Sequence, residues 1–300
     1  MADARWNHTA TLLLDGTVIV VGGTTEGGDI IGAEIYDPTT GVFTSTGSLN
    51  EVRWGHTANL LADGKLLIVA GLNSSLGCLI TAEIYDPATE IFSYTGSMNE
   101  ARGNQVSATL LDGKVLEAGG YGGASYIATA EIYDPATGLF TYTGSMGEDR
   151  EGATATLLTD GTVLIVGGVG DSGVRSSAEI YDPSTGLFSA TGGMAIARQL
   201  HKSIRLANGK VLVTGGFNNT GALSSCEIYD PSTGLFSATG GMAIARYDYT
   251  ISLLSDGNVV IAGGPEVGAQ AELYNSVDGT WSNIAIMNAE REWAAAVVLP

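Results

Sequence analysis

Apolar positions in this chain fall into short runs separated by turn residues, with no helical periodicity of useful length. Residues 148–194 show the unit. A run of small and apolar residues at 153–158 meets Asp160-Gly161. That dipeptide is a strong hairpin signal, because both central positions of a type I′ turn need φ > 0. The β-branched run 163–166 follows and ends at Gly167-Gly168. A variable loop leads to a third run at 178–181. Asp182-Pro183-Ser184-Thr185-Gly186 supplies turn chemistry, and a fourth run covers 187–191. The pattern predicts four antiparallel strands.

The unit recurs six times. Ala33-Glu34-Ile35-Tyr36-Asp37-Pro38 returns from Ala82, Ala130, Ala178 and Cys226, and in altered form from Ala271, at steps of 49, 48, 48, 48 and 45 residues. Hairpin dipeptides stand at Asp15, Asp63, Asp112, Asp160 and Asp256, with Asn208-Gly209 in the fifth unit. A period near 50 with four short strands per copy predicts an all-β, six-bladed β-propeller of four-stranded antiparallel blades. The expected organisation is one domain over 1–300, with an extra C-terminal strand at 289–300. An incomplete seven-bladed propeller is the alternative. Both ends read as a first strand; the N-terminal copy is expected to take the innermost place in the first blade, tethered by the two-residue loop at Asp15-Gly16.

Connectivity sorts the loops. The Asp-Gly and Asp-Pro turns share one face and hardly vary. Loops after the glycines and residues around an opening arginine share the other face and differ in every copy. That arginine recurs at Arg5, Arg53, Arg102, Arg150, Arg198, Arg246 and Arg291. The candidate ligand surface is therefore Arg5, Trp6, Asn7, Arg53, Trp54, Arg102, Asn104, Tyr121, Arg150, Arg198, Phe217, Arg246, Tyr247 and Tyr249. The aromatics Trp6, Trp54, Tyr121, Phe217, Tyr247 and Tyr249 are expected to lie towards that face, several partly exposed. Units four and five are near-duplicates: Ser176–Arg198 matches Ser224–Arg246 except at Ala178/Cys226.

The arginines have a structural reading too. Each unit carries a Glu inside an apolar strand (Glu34, Glu83, Glu131, Glu179, Glu227, Glu272), and a buried carboxylate needs a partner. Repeated Arg–Glu pairs are expected. His8, His56 and His201 share one repeat position, three after the arginine, but fall in units one, two and five, which is uneven for a metal site. Glu117 breaks the set Val20, Ile68, Ile165, Val213 and Ile261, and Arg205 replaces the Leu of Leu12, Leu60, Leu157 and Leu253. A charge in an inner strand is paired, functional, or reaches solvent at an edge.

Composition narrows the partners. There are 32 acidic and 13 basic residues, a net charge of −19. That argues against nucleic acid and anionic membrane surfaces, which need a basic footprint. No apolar run approaches the ~18 residues of a membrane span. Cys78 and Cys226 are far apart in the array, so no disulfide is expected.

The double glycines (Gly22-Gly23, Gly119-Gly120, Gly167-Gly168, Gly215-Gly216, Gly263-Gly264), the Tyr-Asp-Pro phrase and the opening arginine resemble kelch repeats, of the bacterial type with Asp-Gly hairpins. Two features depart from the pattern. Ala70-Gly71 stands for the second double glycine, and the fourth strand ends in Phe43, Phe92, Phe140, Phe188 and Phe236, with the usual Trp only at Trp281. The resemblance implies that the variable loops form the ligand surface, as in kelch adaptors. Kelch propellers also include carbohydrate-active enzymes and a copper oxidase; the latter would need a Tyr crosslinked to Cys, and neither Cys sits beside Tyr247, Tyr249 or His201 in sequence. The reading adopted is a non-catalytic scaffold for a protein or glycan ligand, without cofactor or metal. The alternative is a carbohydrate-active enzyme of lyase, epimerase or oxidase type. A larger multidomain parent fits this reading. The compartment is undetermined, with a lean to a secreted or cell-surface protein of a bacterium.

Overall fold

The computed structural model describes residues 1–265, 267–284 and 287–299. It is a six-bladed β-propeller of four-stranded antiparallel blades, and there is no helix among the described residues. Two compact units are distinguished: Met1–Thr143 with the last residues from Val297, and Gly144–Ala296.

The first unit holds three blades, with innermost strands Thr9–Leu12, Thr57–Leu60 and Val106–Thr109. The second holds three more, with innermost strands Thr154–Leu157, Lys202–Arg205 and Thr250–Leu253. Blade 5 is typical: Lys202–Arg205, Val211–Thr214, Cys226–Asp230 and Leu235–Ala238 lie side by side in chain order. Second strands are apolar apart from Glu117 and Thr214 because neighbouring blades cover their faces. In the first unit Ile19 and Val21 pack against Leu66, Ile68 and Tyr85 of the next blade. In the second, Leu164 and Val166 pack against Val211, Val213 and Tyr229. The core thus lies between consecutive blades. The Tyr of the phrase is oriented by two contacts in several blades. Tyr85 tilts against Phe92 at 4.7 Å and its hydroxyl meets Thr46 Oγ1 at 2.7 Å; Tyr229 repeats this with Phe236 and Thr191.

The strand Glu and opening Arg form one buried module, repeated six times. Arg53 Nη2 lies 3.0 Å from Glu83 Oε1, with both side chains wholly excluded from solvent. Arg53 Nη1 donates to the carbonyls of Ala70 and Thr81 at 2.7 and 3.0 Å. Glu83 also accepts the backbone amides of Asn50 and Glu51. The same pairing holds for Arg5–Glu34, Arg102–Glu131, Arg150–Glu179, Arg198–Glu227 and Arg246–Glu272 at 2.7–3.1 Å. Each guanidinium therefore ties the double-glycine corner to the third strand.

Of the expectations about the ends and loops, one holds and two are adjusted. Thr9–Leu12 does pair with Val18–Val21, so the N-terminal copy takes the inner place of the first blade. The expected C-terminal strand does not form: residues 289–299 carry no strand, and Pro300 lies outside the described residues. Arg291 is exposed, with no strand Glu left to pair with. It keeps only the repeat's backbone link, accepting the Gly264 amide at 2.9 Å. The variable loops after the glycines are more ordered than loops need be. In four blades they form two-residue ribbons, such as Phe217–Asn218 with Gly221–Ala222.

Removing one partner of a module leaves a buried charge without its counter-ion. Arg53→Ala and Glu83→Ala should each lower the unfolding free energy by about 3–5 kcal/mol. Lys65→Ala, which breaks an exposed pair with Asp86, should cost under about 1 kcal/mol. Urea titration of the three variants checks the contrast.

Candidate functional site

The variable loops are carried on an invariant backbone. In five blades the residue after the opening arginine forms an antiparallel bridge to the residue after the glycines: Trp6 with Thr24, Trp54 with Leu72, Gly103 with Tyr121, Glu151 with Val169, and Gln199 with Phe217. The next residue is left-handed in every copy: Asn7, Gly55, Asn104, Gly152, Leu200, Asp248 and Trp293 have φ between 45° and 61°. These residues link one blade to the next through backbone hydrogen bonds. In the first unit Gly55 N donates to Asn7 O and Asn104 N to Gly55 O, at 3.1 and 2.9 Å. In the second, Leu200 N donates to Gly152 O and Asp248 N to Leu200 O, at 2.8 and 3.1 Å. Asn, Asp and Gly accept this conformation readily. Leu200 pays about 1–2 kcal/mol for it and lies over Gly152, which has no side chain to displace it.

Side chains on this frame differ from blade to blade. Trp6 and Trp54 are half-buried. Tyr121 meets Tyr126 edge-on at 5.8 Å and donates its hydroxyl to Gly123 O. Phe217 meets Tyr247 edge-on at 5.2 Å. Trp293 Nε1 donates to Asp248 Oδ2 at 2.7 Å. Its place two residues after Arg291 made Trp293 findable by register, and the sequence reading missed it.

Several expected ligand residues are withdrawn from the surface. Arg5, Arg53, Arg102, Arg150, Arg198 and Arg246 are buried in their modules; their Nη donors go to carbonyls and Glu side chains, while Nε of each is buried without a partner among the described residues. Tyr249 is also buried, its hydroxyl satisfied by the Thr214 carbonyl and hydroxyl. Thr214 is the only Thr at its position, where other copies have Val or Ala, so the pair Thr214/Tyr249 was legible as a joint departure. His56 and His201 are buried between blades, with Nε2 against Thr9 and Thr154 at 2.9 and 3.0 Å. Burial first, and the neighbouring Arg53 charge second, holds His56 down to about 3; the same causes hold His201 well below its usual value.

The first glycine of the pair is crowded by the arginine carbonyl and, in blades 1 and 4, by an imidazole as well. A Cβ at Gly22 would stand 2.6 Å from Arg53 O and 3.0 Å from His56 Cε1, and one at Gly167 2.5 Å from Arg198 O and 2.8 Å from His201 Cε1. In the second blade the methyl of Ala70 is present, and the residue that faces it is Gln105 instead of an imidazole. Gln105 Nε2 donates to Val69 O at 3.1 Å.

Glu117 is wholly buried beside that glutamine. Its Oε1 accepts from Thr57 Oγ1 at 2.8 Å, and Gln105 also hydrogen-bonds the carboxyl. Oε2 has no partner, and no cation lies within ion-pair distance among the described residues. Burial pushes its pKa up to about 8, against the opposing effects of Thr57 and Arg102. Arg205, the second outlier, is half-buried on the inner strand of blade 5.

Compared with known families, the chain matches the Kelch motif at two places, residues 102–147 and 203–242, consistent with a kelch-repeat family. No curated protein matches it.

A carboxyl whose folded pKa exceeds its unfolded value stays protonated longer in the native state. Glu117 therefore removes stability as pH rises from about 4.5 towards about 8, and no more beyond. Glu117→Gln should match the parent near pH 4.5 and exceed it by a few kcal/mol, on the order of 2–4, at pH 9. Denaturant midpoints of both proteins across this range measure the difference; a constant gap would show that Glu117 does not titrate there.

Proposed function

We propose that the chain is a non-catalytic binding scaffold that recognises a protein or carbohydrate ligand through the face of the variable loops. The carrying observation is the contrast between frame and side chains. Bridges and left-handed residues recur from copy to copy, while the set of side chains displayed on them differs between copies, with Trp6 and Trp54 a shared exception. A fold that needed only stability would have no use for that diversity. Half-buried aromatics are suitable anchors, since they offer large contact areas for few rotatable bonds.

Burial argues against the enzyme reading. A catalytic cluster on this face would draw on Glu117, Tyr121, Tyr126, His201, Arg205 and Tyr249. Glu117, His201 and Tyr249 are closed off from solvent. The net charge of −19 favours ligands other than nucleic acid.

A glycan and peptide array tests the reading. Trp54→Ala and Tyr247→Ala should weaken any binding found by tenfold or more, while the melting temperature moves by only a few degrees. A large loss of stability with binding retained would make both residues core, and the reading would fall.

A further inference from the structure

The basic residues show which charges the scaffold uses. The chain has 13 Lys and Arg. Ten are ion-paired: six in the repeated modules, Lys65, Lys114 and Lys210 with turn aspartates, and Arg175 with Asp149 and Glu148. Lys202, Arg205 and Arg291 have no carboxylate within 4.0 Å among the described residues. Two of these three stand on one four-residue strand, Lys202–Arg205.

That strand has a control within the same chain. Blades 4 and 5 are almost identical across 176–198 and 224–246, yet their inner strands differ. Where blade 5 has Lys202 and Arg205, blade 4 has Thr154 and Leu157, and it builds the same four-stranded sheet. The fold therefore does not require either cation. Lys202 is costly as well, because burial pulls its pKa down and only Asp248 pulls it back.

Alternation along the strand fixes its direction. His201 and Ser203 bond to Thr154 and Thr156 of blade 4. Ile204 packs against the core between blades 5 and 6, which includes Tyr249, Val259 and Ile261 of blade 6. Lys202 shares the side of Ile204 and so turns towards blade 6 and Asp248. Asp248 is positioned by two bonds, from its amide to Leu200 O and from Trp293 Nε1 to its Oδ2. Its Oδ1 makes no hydrogen bond or ion pair among the described residues. Tyr247, one residue earlier, and Phe217 place their edge-to-face pair at the same mouth.

We propose that Lys202 and Asp248 form a subsite for a carboxylate flanked by hydroxyl groups, as in a sugar acid, with Lys202 Nζ holding the carboxylate and Asp248 accepting from a hydroxyl. The aromatic pair offers an apolar face for the ring. An acidic peptide side chain would satisfy Lys202 but brings no hydroxyl beside its carboxylate to donate to Asp248. This subsite rests on the reading of the variable face as a binding surface and gives its ligand a chemistry.

Titration calorimetry of the full chain with sodium D-glucuronate tests it, with D-glucose and N-acetylglutamate as comparison probes. Lys202→Thr installs the residue of blade 4, so folding is expected to survive, and a melting curve checks this. Arg205→Leu removes an equal charge from the opposite side and far end of the strand. The expected result is saturable glucuronate binding, weakened at least tenfold by Lys202→Thr, changed less than twofold by Arg205→Leu, and absent for D-glucose. No saturable glucuronate binding overturns the subsite, as does equal weakening by both variants, which would mean general electrostatics. Preference for N-acetylglutamate overturns the sugar-acid assignment in favour of an acidic peptide. An array ligand sensitive to Tyr247→Ala but not to Lys202→Thr would leave the binding face standing and this subsite wrong; array binding insensitive to both Trp54→Ala and Tyr247→Ala would remove the face itself.

Discussion

Everything in this fold hangs on a buried guanidinium that reaches three parts of its own blade at once. A four-stranded blade is small, and its faces are covered only by neighbours. Its glycine corner makes carbonyls that no strand can satisfy. The opening arginine supplies donors to those carbonyls, and the third-strand Glu supplies the counter-charge and accepts amides from the segment before the arginine. A hydrophobic residue of the same size would pack as well but leave these polar groups unpaired in a dry interior, which costs more than a well-made ion pair. Specificity follows from the same bonds. The arginine can reach its carbonyls only when glycine corner and third strand are in register, so each module fixes the geometry of one blade.

The fold was legible in the sequence because its determinants are local and periodic. Asp-Gly hairpins, Tyr-Asp-Pro turns and apolar second strands each sit at one offset in the repeat, and six copies average away individual departures. The Arg–Glu pairing was legible for the same reason, since both partners keep the period. The site was legible only in outline. Counting loops by face identified the variable surface, but the arginines that open those loops turn inward, and a sequence cannot show which way a side chain turns at the junction of loop and strand. Tyr249 illustrates the difficulty. It sits among variable aromatics, yet it fills the inter-blade slot that His56 and His201 fill elsewhere. Trp293 was passed over because it lies in a segment read as a strand, although its register two residues after Arg291 matches that of the other left-handed residues.

Departures from the repeat sort themselves by whether a second departure answers them. Thr214 answers Tyr249 by accepting and donating a hydrogen bond, and Gln105 answers Ala70 by presenting an amide where an imidazole would crowd the methyl. These are repairs internal to the scaffold. Glu117 is answered in part, by Thr57 and Gln105, and burial of the carboxyl pushes its pKa up to about 8. Lys202 is answered by nothing within reach except the more distant Asp248. An unanswered charge in a chain that pairs ten of its thirteen bases is the exception that the scaffold does not account for.

The left-handed residues suggest how such exceptions can accumulate cheaply. Their links are made by backbone amides and carbonyls, so a side chain on the frame can change without breaking any bond that holds neighbouring blades in place. The cost of a change is then confined to the conformational penalty at one residue, about 1–2 kcal/mol for a residue such as Leu200, and to whatever the new side chain touches. Stability on the order of 5–15 kcal/mol tolerates one such penalty but not many. Of the seven left-handed residues of this set, five are Gly, Asn or Asp, for which the penalty is small. Variation is thereby pushed to the residues on either side, those after the arginine and after the glycines, where no penalty applies. Diversity concentrates there because the backbone permits it there at least cost, and a ligand would meet it there first.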